Sequence, residues 1–305
     1  MSDHDRPDGG RALRSGSGAP TWWLVLTREL TELWLGGKAL ILILVYTGLL
    51  AVYSWLMSTN SELQLLPLRE MVYEMVKAAI AVGVGICVII AAESVSGERE
   101  RATLEGLLLT PSSRRQILIG KLLAALSPWP VAYMIAIPYW YAVSQGDPIF
   151  GRAVLWGGVV GSLLTPALTG VAMLVSIWCN TIKTSMVASL ALYLLLLLPA
   201  VLGGTPGTQR TYDQWLRAYR VDWMNPMSAT TRFLQRVLMD NWPPEVLWIW
   251  FTMPVVAAGM VLIVLLLHGS PALRLEAGTS ERLKPYWERL GGLWRAAGFA
   301  SRSAT

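Results

Sequence analysis

Long apolar runs separated by short polar connections dominate the hydrophobic pattern of this chain. Six such segments occur, at about Ala39–Met57, Met71–Ala92, Ile117–Ser144, Ala153–Trp178, Ser185–Leu202 and Val246–His268. Each approaches the roughly 20 residues that a helix needs to cross a bilayer. The pattern predicts an all-α integral membrane protein with six transmembrane helices and a membrane domain over residues 21–268.

The flanks are different. Residues 1–20 are rich in Gly, Ser, Asp and Arg and predict a disordered tail. The first apolar run begins too late for a signal peptide. Over residues 21–36, Trp22, Leu26, Leu30, Leu33 and Trp34 recur at helical spacing with Arg28, Glu29 and Glu32 between them. That is an amphipathic helix suited to the headgroup plane. Residues 269–305 form a polar tail with a second amphipathic stretch, in which Leu283, Trp287, Leu290 and Trp294 share one face.

Within the spans, Pro128, Pro130 and Pro138 predict a kinked or broken third helix. Gly157 and Gly161 have the spacing that permits close helix contact. Tyr139, Trp140, Tyr141, Trp248 and Trp250 suit an interfacial aromatic belt.

Composition agrees with the membrane reading. Hydrophobic residues make up 54% of the chain and charged residues 15%, against roughly 25% charged in soluble domains. The mean hydropathy is +0.46. A formal charge of +5 reads as topology rather than nucleic-acid affinity. Arg99, Arg101, Arg114, Arg115, Lys121, Lys183 and both basic tails fall on one side, assigned to the cytoplasm. Both termini are then cytoplasmic, in the cell (inner) membrane. Residues 203–245 resist the rule, carrying Arg210, Arg217, Arg220, Arg232 and Arg236 on the predicted outer side. Loops of that length can cross with their charges. Inside this loop Asn225-Pro226 predicts a helix start, followed by the apolar stripe Leu234, Val237 and Leu238, read as an interfacial or re-entrant hairpin.

The most informative connection is Glu93–Lys121. Dense mixed charge at Glu93, Glu98, Arg99, Glu100, Arg101 and Glu105 adjoins an apolar patch at Leu104, Leu107, Leu108 and Leu109. Thr110-Pro111 ends that segment, and Ser113 with Gln116 forms a capping-box pattern that opens the next helix. The reading is a short helix over Ala102–Leu109 between spans two and three, with a charged entrance and an apolar face. Such an element fits a groove on a cytoplasmic protein.

Ser96-Gly97-Glu98-Arg99-Glu100-Arg101, Thr103-Leu104-Glu105, Leu107-Leu108-Leu109-Thr110-Pro111, Ser113-Arg114-Arg115 and Gly120-Lys121 together resemble the cytoplasmic loop of ABC-2 type ABC transporter permeases. Ala102 replaces the usual glycine of that pattern, and Gln116 stands where an acidic residue is common. The resemblance implies the membrane-spanning permease subunit of an ATP-driven exporter. It implies a permease homodimer or heterodimer and a separate ABC-type ATPase. It also implies a coupling helix whose contact residues are Glu98, Arg99, Glu100, Arg101, Thr103, Leu104, Glu105, Leu107 and Leu108.

The chain's own chemistry is sparse. Gly120-Lys121 is followed by Leu122, so it offers no phosphate-binding loop, and ATP hydrolysis is expected in a different subunit. Cys87 and Cys179 lack metal-ligand spacing, and His4 and His268 are scattered. No catalytic residue, cofactor or metal site is expected. Glu74 and Lys77 lie near one end of the second span, and no ionisable residue falls near the middle of any span. Ion-coupled carriers use such residues. The competing readings are an ABC-2-like membrane assembly or maturation factor, and a polytopic membrane enzyme without transport.

Overall fold

The computed structural model describes residues 21–60, 66–101, 113–202, 223–243 and 248–269. The tail 1–20, the helix expected over Ala102–Leu109 and the amphipathic stretch 283–294 lie outside the described residues, as do 203–222 of the long connection.

All regular structure among the described residues is helical. In chain order the elements are α1 (Thr21–Leu35), α2 (Lys38–Thr59), α3 (Leu68–Glu93), α4 (Ser96–Glu100) and α5 (Arg114–Leu126). Then come α6 (Pro128–Ser144), α7 (Ile149–Trp178), α8 (Ile182–Leu202), α9 (Pro226–Leu238) and α10 (Trp248–Val264), which ends in a π-turn at Leu265–Gly269. Among the described residues six helices are long and apolar enough to cross a membrane, with α3 and α4 counted as one and α5 and α6 as another. Several start earlier than hydropathy alone indicates: α7 opens at Ile149 rather than Ala153, and α3 at Leu68 rather than Met71. Helical hydrogen bonding continues past the point where apolar character fades, so polar first turns go unseen by a hydropathy window.

The expected break in the third span falls at Ser127. Pro128 and Pro130 occupy the first turn of α6, where the missing N–H groups have no intrahelical partner to lose. Ser127 Oγ accepts a hydrogen bond from Trp34 Nε1 at 3.1 Å, fixing the joint against α1. At the other junction, Gly37 adopts φ 82°, a left-handed conformation that lets α1 turn directly into α2.

Two layers of burial organise the bundle. The most apolar windows of α3 and α7 are each 61% buried, whereas those of α8 and α10 are each 17% buried. So α3, α6 and α7 form the centre, and α2, α8 and α10 turn most of their apolar surface outward. Leu44 and Val187 are 72% and 70% exposed, which a bilayer tolerates and water does not. The Gly157–Gly161 spacing does permit close approach, but rings rather than backbone fill the groove. A Cβ added at Gly161 would lie 2.1 Å from Trp129, and one at Gly157 would lie 3.0 Å from Trp140. Trp129 also donates to Ser162 Oγ at 3.0 Å.

The helix expected after Asn225 is present, with the Asn225 side chain accepting from Met227 N. Its stripe faces the bundle: Leu234, Val237 and Leu238 are buried. Phe233 packs edge-to-face on Phe251 with ring centroids 4.4 Å apart. The stripe seen in the sequence is therefore protein-facing.

Candidate functional site

The connection after α3 is where chemistry concentrates. Ser94 Oγ and Ser96 Oγ each bond back to α3, on the carbonyls of Ala91 (2.7 Å) and Ala92 (2.9 Å). The chain then starts a new helical turn, α4. Its first amides, Val95 N and Ser96 N, donate to Ser176 Oγ of α7 at 3.2 and 3.0 Å. Ser185 of α8 donates to the Ala92 carbonyl at 2.6 Å. The segment expected to be loop from Glu93 is thus helical as far as Glu100, because hydroxyls from α7 and α8 satisfy its backbone.

Arg99 and Glu100 of α4 then address the short connection between α7 and α8. Arg99 Nη1 donates to the carbonyls of Ile177 and Cys179, both at 3.1 Å. The Glu100 carboxylate accepts from Ile182 N at 2.7 Å. A cation at the C-terminal end of one helix and an anion at the N-terminal end of the next both suit the helix dipoles. Gly97 faces Ile182, 3.7 Å from where its Cβ would stand.

Glu98 points the other way, toward a buried ion cluster. Lys121 of α5 has a side chain only 2% exposed and contacts Glu29 Oε1 at 2.7 Å and Glu98 Oε1 at 2.9 Å. Its third acceptor is the Ser94 carbonyl at 2.9 Å. An ammonium has three donors, and here each has an oxygen. A buried charge is tolerable only when so paired. Glu29 reaches the cluster because it lies on the same side of α1 as Leu26 and Leu33, both 8% exposed. The preceding Gly120 makes that approach possible: its absent Cβ would sit 2.9 Å from the Trp22 carbonyl and from Val25 of α1.

Of the predicted contact residues, Glu98, Arg99 and Glu100 are thus engaged inside the fold, while Arg101 faces outward and meets Glu32 at 3.6 Å. Thr103, Leu104, Glu105, Leu107 and Leu108 lie outside the described residues. Sequence reasoning missed the pairing of Glu29, which read as a polar position of an amphipathic helix in the headgroup plane, with Lys121, which read as a topological charge and as part of the loop pattern. The available signal was Gly120 beside Lys121, a close approach next to a cation. Farther along α3, Lys77 pairs with Glu74 at 2.6 Å and lies over the Tyr73 ring, away from this cluster.

Beside the cluster, α1, α2, α3, α4, α5 and α8 surround a half-open cavity of about 350 Å³. Its polar end carries Glu29, Glu98 and Lys121, and its apolar wall includes Ile41, Leu42, Ile89 and Ile90. Lys38, paired with Glu93, stands at the rim.

Six candidate spans around a polar joint at one end define a polytopic helical membrane protein. Residues 28–273 match the family described as ABC-2 family transporter protein, and the chain belongs to that family. It is also similar to the probable multidrug ABC transporter permease YbhR of Escherichia coli strain K12. The two are 25% identical over 163 residues, which is 52% of this chain and 42% of that protein. The same protein of Escherichia coli O157:H7 matches to the same extent. The match therefore spans less than half the length of these relatives. Family and spans together make the chain a multi-pass membrane protein of the ABC-2 transporter family.

Proposed function

We propose that this chain is the permease of an ATP-driven exporter in the cell (inner) membrane, working as a dimer with a separate ABC-type ATPase. The observation that carries the reading is the anchoring of α4, which ties the root of the loop simultaneously to α1, α5, α7 and α8. A segment so bonded transmits displacement to four helices, because packed interiors respond as rigid units.

In this reading the roles divide. Glu98, Arg99 and Glu100 carry motion from the loop into the spans. Arg101, Thr103, Leu104, Glu105, Leu107 and Leu108 meet the ATPase, with the leucines entering a groove on it. Nucleotide closes the ATPase dimer, the lever at 102–109 shifts, and the spans open to the far side. Both tails and the loop lie in the cytoplasm, and α1 rests in the headgroup plane.

The test is co-purification. A tagged wild-type chain is expected to retain a Walker-motif ATPase, and Leu107→Asp with Leu108→Asp is expected to lose it while still inserting and folding. Labelling of an Arg101→Cys variant from the periplasm, or transport by the purified chain with no second subunit, would overturn the proposal.

A further inference from the structure

We propose that α3 bends at Ala79–Gly85 and that hydroxyls of α2 and α8 hold the backbone groups which the bend releases. Within an α-helix each amide bonds to the carbonyl four residues earlier. In the continuous helix α3 the Ala79 and Ala81 carbonyls are therefore the partners of Gly83 and Gly85. Both carbonyls also have a donor from another helix. The Tyr46 hydroxyl of α2 reaches the Ala79 carbonyl at 3.4 Å, and the Tyr193 hydroxyl of α8 donates to the Ala81 carbonyl. Carbonyls two residues apart point to nearly opposite sides of a helix, so α3 is held from both flanks. Glycine weakens a helix where it stands. Inside a bilayer a backbone bond can open only where another group satisfies what it frees. Both conditions meet on the same two bonds, near the middle of α3.

The face of α8 toward α3 is a ladder of hydroxyls. Ser185, Ser189 and Tyr193 follow one another at four-residue spacing, so they share a side of the helix, and all three are buried. The outer rungs bond to α3, Ser185 on the Ala92 carbonyl and Tyr193 on that of Ala81. The middle rung is different: Ser189 Oγ is buried with no hydrogen-bond partner. It lines a void of about 10 Å³ together with Val88 and Tyr193. A buried hydroxyl left unpaired costs free energy. A bend at Gly85 moves the α3 backbone toward this void and gives Ser189 a partner. The Tyr193 ring already rests on Gly85, 3.5 Å from where a Cβ would stand. The half of α3 that leads into α4 then swings against the half that begins at Leu68.

The inference and its test involve no ATPase, so it can fail while the exporter reading stands. The full-length protein in lipid nanodiscs is followed by amide hydrogen exchange read at single residues. The amides of Gly83, Val84 and Gly85 are expected to exchange about tenfold faster than those of Cys87, Val88 and Ile89, the combined effect of two glycines. Gly85→Ala adds a methyl in ordinary contact with Tyr193 and is expected to slow them about fivefold. Tyr193→Phe is expected to slow them several-fold, because the Ala81 carbonyl then has no second donor when its helical bond opens. A tyrosine that only braces the straight helix would give the opposite sign. Ser189→Ala removes a hydroxyl that makes no bond in the straight helix, so the slowing expected there reports the bent state. Uniform exchange along α3, faster exchange in Tyr193→Phe, or an unchanged rate in Gly85→Ala would each overturn the proposal.

Discussion

Arg99 and Glu100 are neighbours in the chain and grip opposite helix ends. Arg99 reaches the C-terminal end of α7, at the carbonyls of Ile177 and of the capping residue Cys179, while Glu100 holds the first amide of α8, at Ile182. Between those ends lie only a few residues of connection. Two adjacent charges of opposite sign thus fix one helix turnaround to the root of the loop. Any displacement of α4 must move α7 and α8 together or break these bonds.

That arrangement predicts a labelling phenotype. Arg99→Met removes the donors to Ile177 and Cys179. The Cys179 thiol is already partly exposed, whereas Cys87 is buried. Maleimide should modify Cys179 several-fold faster in the variant, with Cys87 unreactive as the internal control. An unchanged rate would mean that Arg99 does not hold this connection.

Lys121→Met should be the most damaging single change at the joint. It leaves the Glu29 and Glu98 carboxylates facing each other without the ammonium they share. Breaking a buried pair by removing one member costs about 3–5 kcal/mol. The thermal midpoint of the purified protein should fall accordingly. Adding Glu29→Gln and Glu98→Gln to Lys121→Met should restore part of the loss, since no uncompensated charge then remains.

Gly120→Val tests the approach of α1 to α5 without touching a charge. Its Cβ would meet the Trp22 carbonyl and Val25 at 2.9 Å, and backbone on one side cannot swing away as a side chain can. Overpacking of this kind costs about 1–3 kcal/mol. Limited proteolysis should cut earlier within residues 21–35 than in wild type.

Gly161→Ala and Gly151→Ala form a matched pair on α7. At Gly161 the new methyl would overlap the Trp129 ring at 2.1 Å, and at Gly151 it meets nothing within 4 Å. The first should destabilise the protein and alter tryptophan emission as Trp129 is displaced. The second should be neutral or stabilising by about 0.5–1 kcal/mol, the helix advantage of alanine. Equal effects would show that ring packing on this groove contributes little.

Much of the fold was legible because hydropathy and capping are local properties. The six spans, the break near Pro128, the Ser113 capping box and the Asn225 cap all follow from residues within a turn or two of one another. Glu98, Arg99 and Glu100 stood out as a charged run, yet their partners could not be read. Their acceptors and donors are backbone groups of Ile177, Cys179 and Ile182, which every residue carries. The side of α9 that packs inward was visible as a stripe, but not whether it met lipid or Phe251 and Trp156.

The sequence by itself determined a membrane class, the number and approximate ends of the spans, and the family loop, since apolar length and motif order need no folded partner. Only the tertiary structure decided that Lys121 is buried rather than a surface charge. Its stabilising oxygens come from Glu29, 92 positions away in the chain, and from the carbonyl of Ser94. A charge's cost depends on the oxygens around it after folding, and that surrounding is assembled from distant segments.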